Sequence, residues 1–99
     1  MKIEKTLEDS SLNLKVSGRL DTITAPELDD SIRESIEDAE NVTLDFSDLE
    51  YISSAGLRVL LATQKNISDR GELTVTGVND MVMDVFEVTG FTDILIIKR

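Results

Sequence analysis

Two adjacent serines, Ser53 and Ser54, are the side chains in this sequence that are best placed for chemistry. An apolar, β-branched segment ends at Ile52 and is typical of a strand, whereas apolar residues at helical spacing start at Leu57. We therefore expect the serines where a strand passes into a helix. The first N–H groups of a helix lack intrahelical partners and the helix dipole is positive there, so a serine can cap the helix or carry a phosphate.

The composition removes the usual catalytic roles for these serines. The chain contains neither histidine nor cysteine, and it therefore offers no Ser-His-Asp or Cys-His triad, no imidazole base and none of the common zinc sites. A nucleophile elbow would place glycine two residues before the serine, where Ile52 precedes Ser54. We predict a protein that is not an enzyme, with no catalytic residue, no metal and no cofactor.

Charge and hydropathy limit the classes of partner. The 99 residues carry a net charge of −10 and their basic residues form no cluster, which argues against nucleic acid. The first residues include acids with no apolar run behind them, and no apolar run is long enough to cross a membrane. We expect one domain over residues 1–99, soluble, cytoplasmic, monomeric and without membrane contact.

Hydrophobic periodicity predicts the elements that position the serines. Strands are predicted at residues 3–7, 12–16, 42–46, 73–75 and 94–97, and helices at residues 24–39, 54–70 and 80–89. The order is β-β-α-β-α-β-α-β, an α/β fold with a small mixed sheet. The sheet should be mainly parallel after the N-terminal hairpin, because right-handed crossovers place successive strands side by side. Polar residues alternate along the strands, so the helices should pack chiefly on one face.

Several single residues predict the ends of these elements. Thr24 and Glu27 have the spacing of a capping box at the start of the first helix. Gly18 suits a bulge or a close backbone approach in the second strand. Asn79 or the next residue should cap the third helix, which Gly90 should end.

A longer stretch around the serines resembles a known family. The run Asp45-Phe46-Ser47-Asp48-Leu49, followed by Tyr51-Ile52-Ser53-Ser54-Ala55-Gly56-Leu57-Arg58-Val59-Leu60, is similar to the signature of STAS-domain anti-sigma factor antagonists. Gly18-Arg19-Leu20-Asp21, the chain length and the order of elements extend the resemblance over nearly the whole chain. The resemblance implies a STAS-like fold for residues 1–99.

The resemblance also implies a role in partner switching. In that family the unphosphorylated protein binds an anti-sigma factor that is also a serine kinase, and so frees the sigma factor. Phosphorylation by the kinase ends the binding, and a serine phosphatase restores it. The family's acceptor is the serine that follows an aspartate in the motif. The matching position in this chain is Ser54. Ser53 stands where the motif has aspartate and is the second candidate.

The same resemblance predicts partner-binding residues around the acceptor. Asp21 matches an acidic loop position near the family's acceptor, where it would orient the acceptor or contact the kinase; the alternative is an ordinary turn aspartate. Gly56 either packs the helix against a strand or leaves room for a partner's backbone. The predicted partner-binding residues are Asp21, Thr22, Ser53, Ala55, Gly56 and Arg58.

Two other functions compete with this interpretation. One is a STAS-like scaffold that is not phosphorylated and holds a transporter or signalling complex together. The other is a phosphotransfer receiver or a nucleotide hydrolase. Asp45 could imitate the receiver's acceptor, but the opening hairpin supplies no acidic pair, and the chain has no glycine-rich loop with Lys-Ser or Lys-Thr.

Overall fold

The sheet begins with an N-terminal hairpin, as the alternating pattern predicted. The computed structural model describes residues 1–99, and in it β1 (Lys2–Glu8) pairs antiparallel with β2 (Ser11–Leu20). The turn between them places Asp9 and Ser10 in the left-handed region, at φ 49° and 67°. Short polar residues such as these tolerate that conformation better than β-branched ones do.

The long strand β2 has two parallel neighbours. Its first half pairs with β3 (Asn41–Asp45) and its second half with β4 (Leu49–Ile52). The register shifts between Gly18 and Arg19, where Gly18 has φ +93°. Of the two roles expected for Gly18, a bulge is the one that this shift supports, and the extra residue, Glu50, lies in the opposite strand β4.

The strand β4 is an addition to the predicted order, which had one strand between the first two helices. A tight turn divides the segment in two, because Leu49 N donates to Phe46 O at 3.0 Å and Ser47 N donates to Asp45 Oδ1 at 2.9 Å. Phe46 is fully buried although it lies outside β3. Its apolar side chain therefore gave no sign that the strand had ended.

The other half of the sheet is parallel. β5 (Leu73–Thr76) pairs with β3, and β6 (Ile96–Lys98) pairs with β5, which gives the order β1-β2-β3-β5-β6 with β4 beside β2. The predicted fold class, a mixed sheet that is mainly parallel after the hairpin, is confirmed. The last strand begins two residues later than predicted, because a 3-10 turn (Phe91–Asp93) precedes it.

Three helices connect these strands. They are α1 (Ala25–Arg33), α2 (Ser54–Ile67) and α3 (Asp80–Thr89). The prediction that the first helix runs to residue 39 is wrong, since α1 ends at Arg33 and a 3-10 turn (Ile36–Asp38) follows. Ile36 is still buried, so the apolar spacing continues after the helix has ended. No helix is long and apolar enough to cross a membrane.

One of the predicted helix caps is confirmed and another is wrong. Asn79 caps α3 by accepting from Val82 N at 2.8 Å, and Gly90 ends that helix at φ +79°. The predicted capping box at Thr24 and Glu27 is wrong. Thr24 makes no side-chain cap on α1, because its hydroxyl is used within the preceding loop.

The hydrophobic core lies on one face of the sheet, as predicted from the polar alternation. Leu12, Leu14 and Val16 of β2 are buried beneath the helices, whereas the side chains between them point to the other face. That other face carries Lys15, Thr43, Asp45, Thr74 and Thr76, which are only partly buried. The helices therefore cover one face and leave a polar face to water.

Candidate functional site

The ends of β2 and β4 bring the predicted site together. Leu20 pairs with Ile52, and Ser53 N donates to Leu20 O at 2.9 Å. From this point β2 continues into the loop of residues 21–24, and β4 continues into α2. The loop that contains Asp21 and the turn that contains the two serines are therefore neighbours.

The two serines lie in different environments. Ser53 is the N-cap residue of α2, at φ −101° and ψ 177°, and its Oγ is buried without a hydrogen-bond partner. Ser54 is the first residue of the helix and is exposed. Of the two hydroxyls, that of Ser54 is accessible to another molecule.

A network of hydrogen bonds orders the loop at Asp21. Its Oδ1 accepts from Ile23 N at 3.0 Å and from Thr24 N at 3.1 Å. The Thr24 hydroxyl accepts from Asp21 N at 2.9 Å and donates to Arg19 O at 2.7 Å. The hydrogen bond from the backbone N–H of Thr24 is the main reason that the pKa of Asp21 lies below its usual value. The carboxylate is therefore ionised at neutral pH and closes an Asx turn.

Gly56 sets the distance between α2 and the strands. A Cβ atom at this position would lie 2.7 Å from Leu20 Cγ and 2.8 Å from Ile52 Cγ1. These distances are shorter than van der Waals contact, so glycine permits the close approach of the helix to β2 and β4. Of the two roles considered for Gly56, packing against the strands is the one that these contacts support.

A shallow groove lies between α1 and α2, next to Ser54. We call it the α1–α2 groove; its volume is about 340 Å³. Its lining includes Thr22, Ala55 and Arg58 from the predicted partner-binding set, together with Ala25, Pro26 and Val59. Arg58 is exposed and follows Ser54 by one helical turn. Asp29, Arg33 and Ala62 complete the lining, so the groove combines apolar residues with one acidic and two basic side chains.

Two features of the site were missed in the sequence. The guanidinium of Arg19 lies over the ring of Tyr51, at 4.3 Å from the ring centroid. These residues are partners in β2 and β4, so predicting their contact required the pairing of β4 with β2, which the predicted order did not contain. The other feature is Ile23, whose side chain is 83 % exposed in the Asp21 loop. A single apolar residue in a loop has no periodic neighbours that would have marked it.

Comparison with known proteins decides the family. The sequence model of the family described as Mlab, STAS domain matches residues 3–97. The chain belongs to the STAS-domain family. The resemblance predicted from residues 45–60 is therefore confirmed.

Curated relatives of this STAS domain carry a consistent name. The chain is 31 % identical over 97 residues to a protein of Staphylococcus aureus (strain NCTC 8325 / PS 47), and the match covers 96 % of the chain and 90 % of that protein. The Staphylococcus protein is named anti-sigma-B factor antagonist. The name describes an antagonist, not an enzyme.

Solved structures agree with the fold. An anti-sigma factor antagonist from Mycobacterium paratuberculosis superposes with a TM-score of 0.89 at 23 % identity, covering 98 % of this chain and 84 % of the other. The antagonist SpoIIAA in its unphosphorylated form gives a TM-score of 0.85 at 15 % identity, covering 97 % and 87 %. The phosphorylated form of SpoIIAA, from Bacillus, gives 0.77 at 14 % identity, covering 97 % and 90 %. At these identities the likeness establishes the fold.

Proposed function

We propose that this STAS domain is an anti-sigma factor antagonist that is switched off by phosphorylation of Ser54. The observation that carries the proposal is the exposed Ser54 hydroxyl at the first residue of α2, beside a buried Ser53 hydroxyl. The name of the Staphylococcus relative supports the antagonist role. The phosphorylated form of SpoIIAA supports modification as the means of regulation. The partner is an anti-sigma factor that is also a serine kinase, and a serine phosphatase removes the phosphate.

Accessibility favours Ser54 over Ser53 as the acceptor. In a kinase reaction the serine Oγ attacks the γ-phosphorus of ATP, the hydroxyl proton passes to a base of the kinase, and ADP leaves. The attacking oxygen must align with the bond that breaks, so it has to reach into the kinase. Ser53 Oγ is buried, and it would reach a kinase only if the first turn of α2 opened.

Phosphorylation changes the charge at the edge of the interface. Phosphoserine adds about 1.5 to 2 negative charges, and in the free protein the N-terminus of α2 stabilises part of that charge. In the complex the phosphate would lose water beside the ionised Asp21 loop. An unpaired buried charge costs roughly 3–5 kcal/mol, which weakens binding by roughly 10² to 10³ or more.

The partner surface that we propose includes the six predicted residues in three roles. Thr22, Ala55 and Arg58 line the α1–α2 groove and contact the anti-sigma factor. Ser53 and Gly56 hold the first turn of α2 against β2 and β4, so they act on the partner through the position of Ser54. Asp21 orders the neighbouring loop, because its carboxylate accepts hydrogen bonds from Ile23 N and Thr24 N.

A kinase assay tests the acceptor. The purified protein is incubated with ATP and the anti-sigma factor kinase of the same organism, and the modified residue is mapped by mass spectrometry. We expect one phosphate on Ser54 of the wild type and of Ser53→Ala, and none on Ser54→Ala. Phosphate on Ser53 of the wild type, or no phosphate at all, would contradict the proposal.

Two observations favour a second candidate function. Position 53 is serine where the family motif has aspartate, and the description of the matching family model, Mlab, STAS domain, does not mention an anti-sigma factor antagonist. The alternative is a scaffold that binds its partner without being phosphorylated. In that case the wild type would bind the same anti-sigma factor or another protein with equal affinity before and after incubation with kinase and ATP.

A further inference from the structure

An apolar stripe lies on the outer face of α3. Met81 is 56 % exposed and Val88 is 87 % exposed, and Val85, which is partly buried, lies between them on the helix. The three positions have the spacing i, i+4 and i+7, so their side chains align along one side of α3. We call Met81, Val85 and Val88 the apolar stripe.

An acidic stripe runs beside the apolar one. Asp80, Asp84 and Glu87 have the same i, i+4 and i+7 spacing, and each precedes a member of the apolar stripe by one residue. One residue corresponds to a rotation of about 100° around the helix axis. All three acidic side chains are exposed. The outer face of α3 therefore has carboxylates along one half and apolar side chains along the other.

The charge of the acidic stripe is only partly balanced within the chain. Arg99 pairs with Asp80, whereas Asp84 and Glu87 form no ion pair. The helix itself contains no lysine or arginine. Two carboxylates therefore remain available to cations of another molecule, in the way that Asp80 already accepts Arg99.

The first helix shows that the combination is specific to α3. The outer face of α1 exposes Glu27 and Asp30, but no large apolar side chain of α1 or α2 is exposed. Single exposed apolar residues are common on protein surfaces, as are charged helix faces. An aligned apolar stripe with a charged border is typical of a surface that contacts another molecule.

We propose that the outer face of α3 docks a basic amphipathic helix of a partner protein. Apolar residues of that helix would pack on Met81, Val85 and Val88, while lysine or arginine beside them would pair with Asp84 and Glu87. Charge complementarity selects this partner. A second copy of α3 would bring three more acidic residues and no basic one, and an anionic lipid or nucleic acid would be repelled.

This surface is distinct from the one proposed for the anti-sigma factor. No residue that lines the α1–α2 groove belongs to α3. The inference therefore goes beyond the proposed function and does not depend on phosphorylation of Ser54. It gives the domain a second contact, which a partner could occupy in either state of the switch.

A peptide titration tests the surface. The probe is a fluorescein-labelled helical peptide of leucine and lysine, about 20 residues long, with leucine at the spacing of the apolar stripe. Fluorescence anisotropy measures its binding to the full chain. We expect it to bind, and we expect a peptide with glutamate in place of lysine, and one with the same residues in scrambled order, to bind at least about 10-fold more weakly. Absence of binding by the first peptide, or equal binding by the scrambled one, would overturn the proposal.

Two variants of equal net charge separate the stripe from the overall charge. Asp84→Asn/Glu87→Gln removes two carboxylates from α3, and Glu27→Gln/Asp30→Asn removes two from α1. At low salt we expect the α3 variant to bind the peptide about 3- to 10-fold more weakly and the α1 variant to change by less than about twofold. The loss should shrink as salt is added. Equal losses in the two variants would show that the peptide follows the net charge of −10, and would overturn the proposal.

A third pair of variants tests the apolar stripe. Val88→Ser shortens the stripe, and Ile23→Ser is the matched control, because Ile23 is 83 % exposed outside α3. We expect Val88→Ser to bind the peptide about 10-fold more weakly at low and high salt alike, since apolar burial is not screened. Ile23→Ser should bind as the wild type does. Urea unfolding checks that both variants are folded, and an equally small change for both would overturn the proposal.

Analytical ultracentrifugation without peptide tests the choice of partner. We expect a monomer for the wild type and for Val88→Ser. A wild-type dimer that Val88→Ser abolishes would assign the stripe to a second copy of the chain and overturn the proposed partner. None of these experiments uses the kinase or the anti-sigma factor, so their failure would leave the proposed function unchanged.

Discussion

Ser53 and Ser54 have the same side chain and adjacent positions, but the fold gives them different surroundings. Ser53 N is bonded to Leu20 O as a strand residue would be, and its hydroxyl is buried. Ser54 has entered α2 and is exposed. The sequence predicted that a helix begins here. Its local pattern could not rank the two hydroxyls, because the difference depends on the pairing of β4 with β2.

The buried hydroxyl of Ser53 leads to a stability prediction. Serine at an N-cap usually stabilises a helix, and its replacement by alanine costs about 1 kcal/mol. Ser53 Oγ accepts no hydrogen bond, so we expect Ser53→Ala to leave the free energy of unfolding within about 0.5 kcal/mol of the wild type, or to raise it. Urea unfolding at neutral pH is the measurement.

The control for this prediction is another cap in the same chain. Asn79 caps α3 and also donates to Leu49 O at 2.8 Å. We expect Asn79→Ala to lower the free energy of unfolding by about 1–2 kcal/mol. A loss of that size for Ser53→Ala would mean that Ser53 caps α2 in solution.

Strong hydrophobic periodicity predicted most of the helices and strands correctly, but it did not predict where they end. The hairpin, α2, α3 and β5 lie close to where the sequence predicted them. The first helix was predicted too long because Ile36 keeps the apolar spacing in a 3-10 turn. The segment that ends at Ile52 was expected to be a strand, but the predicted order did not separate it from β3, because the turn between the two strands includes a buried Phe46. In both cases an apolar residue is buried without belonging to a regular element.

One side chain joins the end of α2 to the segment that follows α1. Arg70 Nε donates to Ala39 O at 3.1 Å and Nη2 donates to Ile36 O at 3.0 Å, while Nη1 donates to Asn66 O at 2.8 Å. These carbonyls lie near helix ends, where intrahelical donors are lacking. We expect Arg70→Ala to lower the free energy of unfolding by about 1–3 kcal/mol in urea unfolding.

A lysine at the same position is the matched control for Arg70. A single ammonium keeps the positive charge but lacks the planar fork that reaches two separated carbonyls. Arg70→Lys should therefore recover only part of the loss. Full recovery by lysine would show that charge alone stabilises this contact.

The whole molecule is a sheet with one covered face, and this plan was predictable because polar residues alternate along β2, β3 and β5. The location of the site at the ends of β2 and β4 was predictable only in part. The signature at residues 45–60 identified the serines, and Gly18-Arg19-Leu20-Asp21 identified the loop. Their distances, the orientation of Ile23 and the contact of Arg19 with Tyr51 depend on long-range pairing that no local pattern contains.

The charged groups predict how stability depends on pH. The N–H of Thr24 holds the pKa of Asp21 below its usual value, and the N–H of Ser47 does the same for Asp45. Because these pKa values are lower in the folded state, the stabilisation is complete above about pH 4 and is lost as the pH falls through the folded values. The ion pair with Asp48 raises the pKa of Lys15, so its stabilisation is lost as the pH rises above about 10.

Between these limits the stability should be nearly constant. The chain has no histidine, so no side chain with an ordinary pKa titrates between about pH 5 and 8. Urea unfolding at a series of pH values should give a plateau from about pH 5 to 9, with a decline on each side. Asp21→Asn should make the decline in acid shallower, and a marked fall in stability between pH 6 and 8 would contradict this account.

The central claim is that the charge on Ser54 controls binding. The most direct measurement is a calorimetric titration of the anti-sigma factor with the unphosphorylated protein and with protein phosphorylated on Ser54. We expect the phosphorylated protein to bind roughly 100-fold or more weakly, while Ser54→Ala binds as the unphosphorylated wild type does even after incubation with kinase and ATP. Equal affinities of the two forms of the wild type would contradict the switch.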